Sequence, residues 1–173
     1  AVSSTITLAD ADDANLESAP VQVSGNYANG EDLLAFTDTA DITASWDANT
    51  GTLTLSGTAS VADYQAALRS VTYENTSDSP SAAQRTVSFG VNDGDTDSNA
   101  GTRAIDVTAV NDASVVANLE AGALDYTEND AGTAVSSTIT LADADDANLE
   151  SATVQVSGNY ANGEDLLAFT DTA

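Results

Sequence analysis

Residues 86–91, TVSFGV, place Val87, Phe89 and Val91 on one side of an extended chain and polar or small residues on the other. A period of two between apolar residues is typical of a β-strand with one buried face. The residues that follow, NDGD at 92–95, have the composition of a tight turn. This stretch therefore predicts a strand that covers a core and ends at a polar turn.

The same alternation recurs elsewhere in the chain. It is present in VSSTITL, in TVQVS and its copy PVQVS, in ITASW and in TLTL. The residues predicted to share faces within these segments are Val2, Ser4, Ile6 and Leu8; the valines of both VQV segments; Ile42, Ala44 and Trp46; and Leu53 and Leu55. Because turn sequences such as DANTG at 47–51 separate the segments, we expect about seven short strands per repeat.

One segment has a helical pattern instead. In SVADYQAALRSV, Ser60 is a potential N-cap, Asp63 occupies the capping-box position and Arg69 lies near the negative end of the helix dipole. The apolar positions are Val61, Tyr64 and Leu68. We therefore expect an all-β fold with one short helical crossover. An antiparallel β-sandwich is favoured, although periodicity alone leaves a barrel open.

The composition narrows the possible functions. The 173 residues include 28 acidic and three basic side chains, for a formal net charge of −25, and there is no Lys, His or Cys. These absences argue against a phosphate-binding basic groove, a histidine metal site, a disulfide and most acid–base catalysis. Hydrophobic residues amount to 42%, enough for a packed domain of about 100 residues, and no apolar run approaches the roughly 18 residues of a membrane span. We expect a folded, acidic protein that is not an enzyme.

A long internal repeat organises the chain. Residues 1–40 recur as residues 134–173, and the only difference is Pro20 against Thr153. The offset of 133 residues far exceeds the solenoid repeats of about 20–50 residues and fits one whole domain per repeat. We expect residues 1–113 to be a repeat that lacks its first strand and residues 114–173 to be the N-terminal part of the next repeat, both within a longer tandem array.

Several loops carry closely spaced oxygen ligands for a cation. Hard cations such as Ca²⁺ take six to eight oxygens, and Asp-x-Asp on a loop directs two carboxylates at one ion. The candidate ligands are Asp10, Asp12 and Asp13; their copies Asp143, Asp145 and Asp146; Asp93 in the turn at 92–95; Asn111 and Asp112; and Glu128. For the duplicated cluster a solvated polar loop is the alternative, but no basic side chain lies nearby in sequence to neutralise it. The alternative for residues 92–95 is an ordinary hairpin turn, and the alternative for Asn111 and Asp112 is a flexible linker.

Two long segments resemble a known family. YTENDAGTAVSSTITLADADDANLE at 126–150 and VSFGVNDGDTDSNAGTRAIDVTAVNDA at 87–113 are similar to the cadherin-like repeats of very large bacterial surface proteins, including RTX-type adhesins. The resemblance covers the whole repeat. It implies a cadherin- or Ig-like antiparallel sandwich, an extracellular or cell-surface location, and Ca²⁺ bound between successive domains.

The resemblance also implies roles for particular residues. It makes Glu128 the acid after the first strand, Asp10 and Asp12 with Asp143 and Asp145 the Asp-x-Asp pairs, Asp93 the acid that ends the sixth strand, and Asn111 with Asp112 the linker. A junction is implied in which Asn111 and Asp112 meet Asp143 and Asp145, joined by Asp78. The linker VNDA is shorter than in animal cadherins, and YENTSDSPS replaces the family's second acidic motif.

The sequence thus predicts a calcium-stiffened extender repeat of a long bacterial cell-surface adhesin or extracellular fibre. The alternative is a calcium-dependent carbohydrate- or protein-binding module for adhesion, with Tyr27 or Tyr160 as exposed aromatic contacts. The expected partners are neighbouring repeats of the same protein, and neither nucleic acid nor membrane insertion is expected. Because residues 134–173 duplicate residues 1–40, head-to-tail assembly or domain swapping is also expected.

Overall fold

The computed structural model describes residues 1–170 and separates the chain into two compact units, which meet in sequence between Asp112 and Ala113. The elements of the first unit are β1 (Asn15–Gly25), β2 (Asp32–Ala35), β3 (Thr43–Asp47), β4 (Thr52–Ser60), α1 (Val61–Ser70), β5 (Thr72–Asn75), β6 (Arg85–Phe89) and β7 (Gly101–Ile105). Those of the second unit are β8 (Val115–Ala117) and β9 (Thr140–Ala142). The predicted all-β class with one short helix is confirmed.

Five strands of the first unit form an antiparallel sheet in the order β3-β4-β1-β6-β7. The central strand is β1, in which Val21 pairs with Leu53 of β4 on one side and with Phe89 of β6 on the other. These three side chains are buried, whereas the adjacent Gln22 and Ser88 are partly exposed. The period of two in the sequence therefore sets the buried face of the sheet.

A second layer covers that face. It consists of the two-stranded antiparallel sheet of β2 and β5 together with α1, which connects β4 of the larger sheet to β5 of the smaller one. The shared core includes Leu16, Ala19, Val21, Val23, Leu34, Ile42, Leu53, Leu55, Tyr64, Leu68, Val71, Val87 and Phe89. Since α1 connects a strand of the large sheet to a strand of the small sheet, it is the predicted helical crossover of an antiparallel sandwich.

The helix begins as the capping pattern predicts. The Ser60 hydroxyl oxygen accepts a hydrogen bond from the Asp63 amide at 3.1 Å and donates to the Asp63 carboxylate at 2.6 Å. This pair satisfies one of the amides that a helix N-terminus leaves without an internal partner. Tyr64 and Leu68 are fully buried, so the apolar face of α1 lies on the core.

The strand predicted over residues 2–8 is wrong, because this segment forms no β-ladder. Its apolar side chains still turn inward, with Val2 buried and Ile6 and Leu8 partly buried. Its backbone hydrogen bonds run to the helix region: from the Val2 amide to the Val71 carbonyl, from the Leu8 amide to the Gln65 side chain, and from the Arg69 side chain to the Ile6 carbonyl. The segment alternates like a strand but pairs with a helix.

The second copy of the repeated segment has a different structure from the first. Residues 15–25 form β1, whereas residues 148–158, which differ only at Thr153, contain no strand. Val21 is 0% exposed and its copy Val154 is 70% exposed. The reason is that β1 forms its ladders with β4 and β6, and the sequence holds one copy of those partner strands. The strand predicted at TVQVS is therefore also absent.

Candidate metal site

The loop that follows residues 2–8 is shaped by the Asp10 side chain. One Asp10 carboxylate oxygen accepts hydrogen bonds from the backbone amides of Asp12 at 3.2 Å and Asp13 at 3.0 Å. These two amides stabilise the ionised carboxylate, and the bonds from Asp13 and then Asp12 lower the pKa of Asp10. The turn exposes the carboxylates of the loop at the end of the sandwich next to β1.

The turn after β6 is shaped in the same way. The Asp93 carboxylate accepts hydrogen bonds from the amides of Asp95 at 2.8 Å and Thr96 at 2.7 Å. Gly94 has φ of +103°, a left-handed conformation that favours glycine, and a Cβ atom there would lie 3.0–3.2 Å from the carboxyl atoms of Glu17. The Glu17 side chain therefore packs directly on this turn.

The two loops bring three carboxylates together. Asp10, Asp13 and Asp93 each offer an oxygen atom, and these oxygens all lie within 4.8 Å of one another. Loss of hydration, together with the negative charges of Asp93 and Asp10, raises the pKa of Asp13. None of these three groups takes part in the ion pair recorded among residues 1–170, which joins Arg85 and Asp32.

The second copy of the loop keeps the same turn. Asp143 accepts hydrogen bonds from the amides of Asp145 at 3.3 Å and Asp146 at 3.1 Å, and also from the Ser114 hydroxyl at 2.6 Å. The hydroxyl bond from Ser114 is the largest cause that lowers the pKa of Asp143 to about 2. Oxygens of Asp143, Asp145 and Asp146 again lie within 4.8 Å of one another. Here all three carboxylates come from one loop.

Both clusters could hold a metal ion. Every carboxylate donor is a hard oxygen, the ligand type that Ca²⁺, Mg²⁺ and Mn²⁺ prefer over the nitrogen and sulfur ligands of zinc sites. In the first cluster the bonds to backbone amides fix the orientation of two of the three carboxylates. A cation would replace the mutual repulsion of the carboxylates by attraction to one shared charge.

The other predicted ligands lie outside these two clusters. Asp12, Asp78, Asp112 and Glu128 belong to neither group of three. The Asn111 side-chain amide donates to the carbonyl of Asp112 at 2.5 Å, and both residues are exposed. The junction formed by Asn111, Asp112, Asp143 and Asp145 stays a prediction.

The first unit also contains a buried polar network that the sequence motifs do not predict. Arg85 and Asp32 form an ion pair at 3.1 Å, with both side chains 0% exposed. The Asp32 carboxylate also accepts hydrogen bonds from the Tyr73 hydroxyl, the Asn75 amide and the backbone of Ala28, at 2.6, 2.7 and 2.8 Å. Burial opposes ionisation of Asp32, but these bonds outweigh it and lower its pKa. Loss of hydration and then the bond to Asp32 raise the pKa of Tyr73 to about 12.

The alternation of the sequence contained a signal for this network. Asp32 lies two residues before the buried Leu34, and Arg85 lies two residues before the buried Val87, so both charges are in phase with core-facing positions. A charged side chain on the buried face of a strand requires a partner of opposite charge. The chain has three basic residues, so few side chains could be the partner of a buried Asp32.

No protein-family model matches the sequence, and searches of curated proteins and of solved structures found no significant match. The similarity to cadherin-like repeats therefore rests on the motifs alone. No helix within residues 1–170 combines the length and the apolar composition needed to cross a membrane.

Proposed function

We propose that the chain is a calcium-stiffened structural repeat, part of an extracellular extender or fibre of bacterial cell-surface type. The observation that carries the proposal is the convergence of Asp10 and Asp13 from one loop with Asp93 from another at a single point. One ion at that point would bind two loops of the sandwich together. The chain would then have a mechanical function and no enzymatic activity.

Repulsion provides the mechanism. With a net charge of −25, repulsion among clustered carboxylates opposes the contact between their loops, and a bound cation would remove that opposition. Extracellular calcium modules bind with dissociation constants of about 0.1–1 mM, and a tenfold excess of free ion would add roughly 1.4 kcal/mol to the folded state per site. Repeated along an array, this modest gain would stiffen every repeat. The neighbouring repeats are the proposed partners.

The packing of Tyr27 favours the structural role over the adhesive alternative. The Tyr27 ring lies 6.3 Å from that of Trp46 at an interplanar angle of 76°, and its hydroxyl donates to the Ala48 carbonyl at 2.6 Å. A Cβ atom on Gly51 would lie 2.9 Å from the same ring. Trp46, Ala48 and Gly51 thus occupy much of the ring surface that a sugar would need for stacking.

The test compares thermal unfolding in millimolar Ca²⁺ with unfolding in a chelator. We expect the ion to raise the melting temperature of the first unit, and Asp13→Asn to abolish most of that rise. Asp13 is the suitable target because the turn uses its backbone amide, while its side chain accepts none of the turn's hydrogen bonds. Asp146→Asn makes the same change in the second copy and should leave the first unit's response intact.

A further control separates metal binding from net charge. Asp41→Asn removes one exposed charge from the first unit outside the cluster, so its calcium response should equal that of the parent protein. If Ca²⁺ leaves the melting temperature unchanged, or if Asp41→Asn weakens the response as much as Asp13→Asn, the calcium proposal is wrong.

A further inference from the structure

In the first unit, residues 1–37 occupy a cleft. We propose that residues 134–170 of one chain bind in this cleft of a second copy of the chain, in place of that copy's residues 1–37. The cleft is formed by β4, β6, α1 and β5 of the first unit. This inference does not rest on the calcium proposal, because it concerns the apolar core and the Arg85 network.

The first copy shows which surface would cover the exposed apolar side chains of the second copy. Leu16 is 2% exposed in the first copy, and its equivalent Leu149 is 42% exposed. Leu34 is 1% exposed, and its equivalent Leu167 is 41% exposed. The side chains that cover Leu16 and Leu34 belong to one core cluster with Leu53, Leu55, Tyr64, Leu68 and Phe89. The same sequence would fit the same surface.

The second copy already has the loop shape that the cleft accepts. In the first copy, the Ala28 amide donates to the Asp32 carboxylate at 2.8 Å and the Asp32 amide donates to the Ala28 carbonyl at 2.9 Å. In the second copy the equivalent bonds of Ala161 and Asp165 are 2.8 and 3.0 Å.

The glycine and asparagine torsions of the two loops also agree. Asn26 and Asn159 both have φ of 53°, and Gly30 and Gly163 have φ of 88° and 87°. The loop therefore forms without burial, and it orients Asp165 as Asp32 is oriented. Arg85 of a second chain would find in Asp165 the same partner it has in Asp32.

The single sequence difference favours the second copy. The Pro20 carbonyl accepts a hydrogen bond from the Gly90 amide at 3.0 Å. In such an antiparallel pair the two residues exchange both bonds, but Pro20 has no N–H to return. Thr153 at this position would donate the missing bond to the Gly90 carbonyl, and proline is disfavoured in a central strand such as β1. At equal local concentration, we expect the cleft to prefer the second copy several-fold.

The covalent connection of the first copy to its own cleft limits the conditions under which the second copy of another chain replaces it. Residues 38–42 connect the first copy directly to β3, so its local concentration at its own cleft is high. Each exchange releases one first copy as it binds one second copy, and the apolar burial is nearly conserved. We therefore expect chains to be linked after unfolding and refolding at high protein concentration. The fraction of linked chains should rise with that concentration.

Cysteine pairs test the exchange, because the protein has no cysteine of its own. Gln22 lies opposite Ser88 in the β1–β6 ladder, and both side chains are partly exposed. Gln22→Cys with Ser88→Cys should form a disulfide within one chain, since cross-strand partners have the Cα separation that a disulfide needs. Gln155→Cys with Ser88→Cys should form one between chains when refolded at high concentration in a thiol redox buffer. The readout is a non-reducing gel, on which the second pair should give dimers and longer oligomers.

Three further variants check that the cross-link reports docking. Gln155→Cys with Thr102→Cys places the second cysteine on the adjacent strand β7 and should give little product. Asp165→Asn should reduce the product strongly by removing the partner of Arg85, and Thr153→Pro should reduce it several-fold.

The proposal is overturned if Gln22→Cys with Ser88→Cys cross-links but Gln155→Cys with Ser88→Cys does not. It is also overturned if the latter disulfide forms only within one chain, or if the Thr102→Cys pair reacts equally well. A yield unaffected by Thr153→Pro would overturn the preference for the second copy.

Discussion

Asp32 and Arg85 form a fully buried ion pair that connects the two layers of the sandwich, because Asp32 lies in β2 of the small sheet and Arg85 lies in β6 of the large sheet. Arg85 also donates to the carbonyls of Ser81 and Ala83, both at 2.6 Å. A buried pair contributes little net stability compared with apolar residues, but removal of one partner leaves an uncompensated charge in the core. The packing of the two layers therefore depends on the presence of both partners.

Asp32→Asn should destabilise the first unit by about 3–5 kcal/mol, because Arg85 would remain charged and buried without its carboxylate. Asp165→Asn is the matched control: it changes the equivalent residue of the second copy, which is exposed, and should alter stability by no more than about 0.5 kcal/mol. Urea unfolding followed by circular dichroism would measure both variants. Equal effects of the two substitutions would contradict the role assigned to the buried pair.

Acid should destabilise the first unit through Asp32. The pKa of Asp32 is lower in the folded protein than in the unfolded chain, so the unfolded state binds the proton more readily. The contribution of Asp32 is therefore fully present above a pH of about 4 and is lost as the pH falls through the lower folded-state pKa. Unfolding free energies measured between neutral pH and pH 2 in the parent protein and in Asp32→Asn should converge at the acid end. A constant difference across that range would be inconsistent with this linkage.

Gly57→Ala should be among the most damaging single substitutions in the first unit. Gly57 has φ of +137°, and a Cβ atom there would lie 2.0 Å from the Asp41 carbonyl oxygen. Backbone strain and the clash together should cost at least about 2 kcal/mol. Gly101→Ala in β7 is the control, since a Cβ atom at Gly101 meets no atom within 4 Å. The melting temperatures of the two variants would be compared. A larger decrease for Gly57→Ala would assign the effect to the close backbone approach at that position and not to the loss of a glycine in general.

The sequence predicted most of the first unit because its alternation and its capping pattern reflect local physics. Leu53 and Leu55 are buried where the period of two places them, and Ser60 caps α1 as the pattern indicates. Residues 2–8 show the limit of this reasoning. Alternation indicates which side chains face inward, but the partner of the backbone is decided by tertiary packing, here by α1.

The repeated segment shows the same limit more directly. Residues 15–25 and 148–158 are identical except for one residue, yet the first forms a strand and the second does not. Local propensity is the same in both, so the difference arises from the presence of β4 and β6 beside the first copy.

Part of the candidate metal site was also predictable. The Asp-x-Asp spacing indicated Asp10 with Asp12 and Asp143 with Asp145. The second cluster contains both Asp143 and Asp145, whereas the first includes Asp13 rather than Asp12. The loop's hydrogen bonds decide which carboxylates converge, and sequence spacing does not specify them. Asp93 joins the cluster because its loop contacts a loop that lies about 80 residues away in sequence. Sequence spacing does not predict a contact over that separation.

The edge-to-face contact of Tyr27 with Trp46 makes the first unit optically distinct. Trp46 is the single tryptophan of the chain, so intrinsic emission above the tyrosine band arises from β3 alone. Tyr126 and Tyr160 of the second unit are exposed and contribute only tyrosine fluorescence. Emission from Trp46 therefore follows the melting of one unit without interference from the other, and excitation transfer from the tyrosines of the first unit would report the same transition.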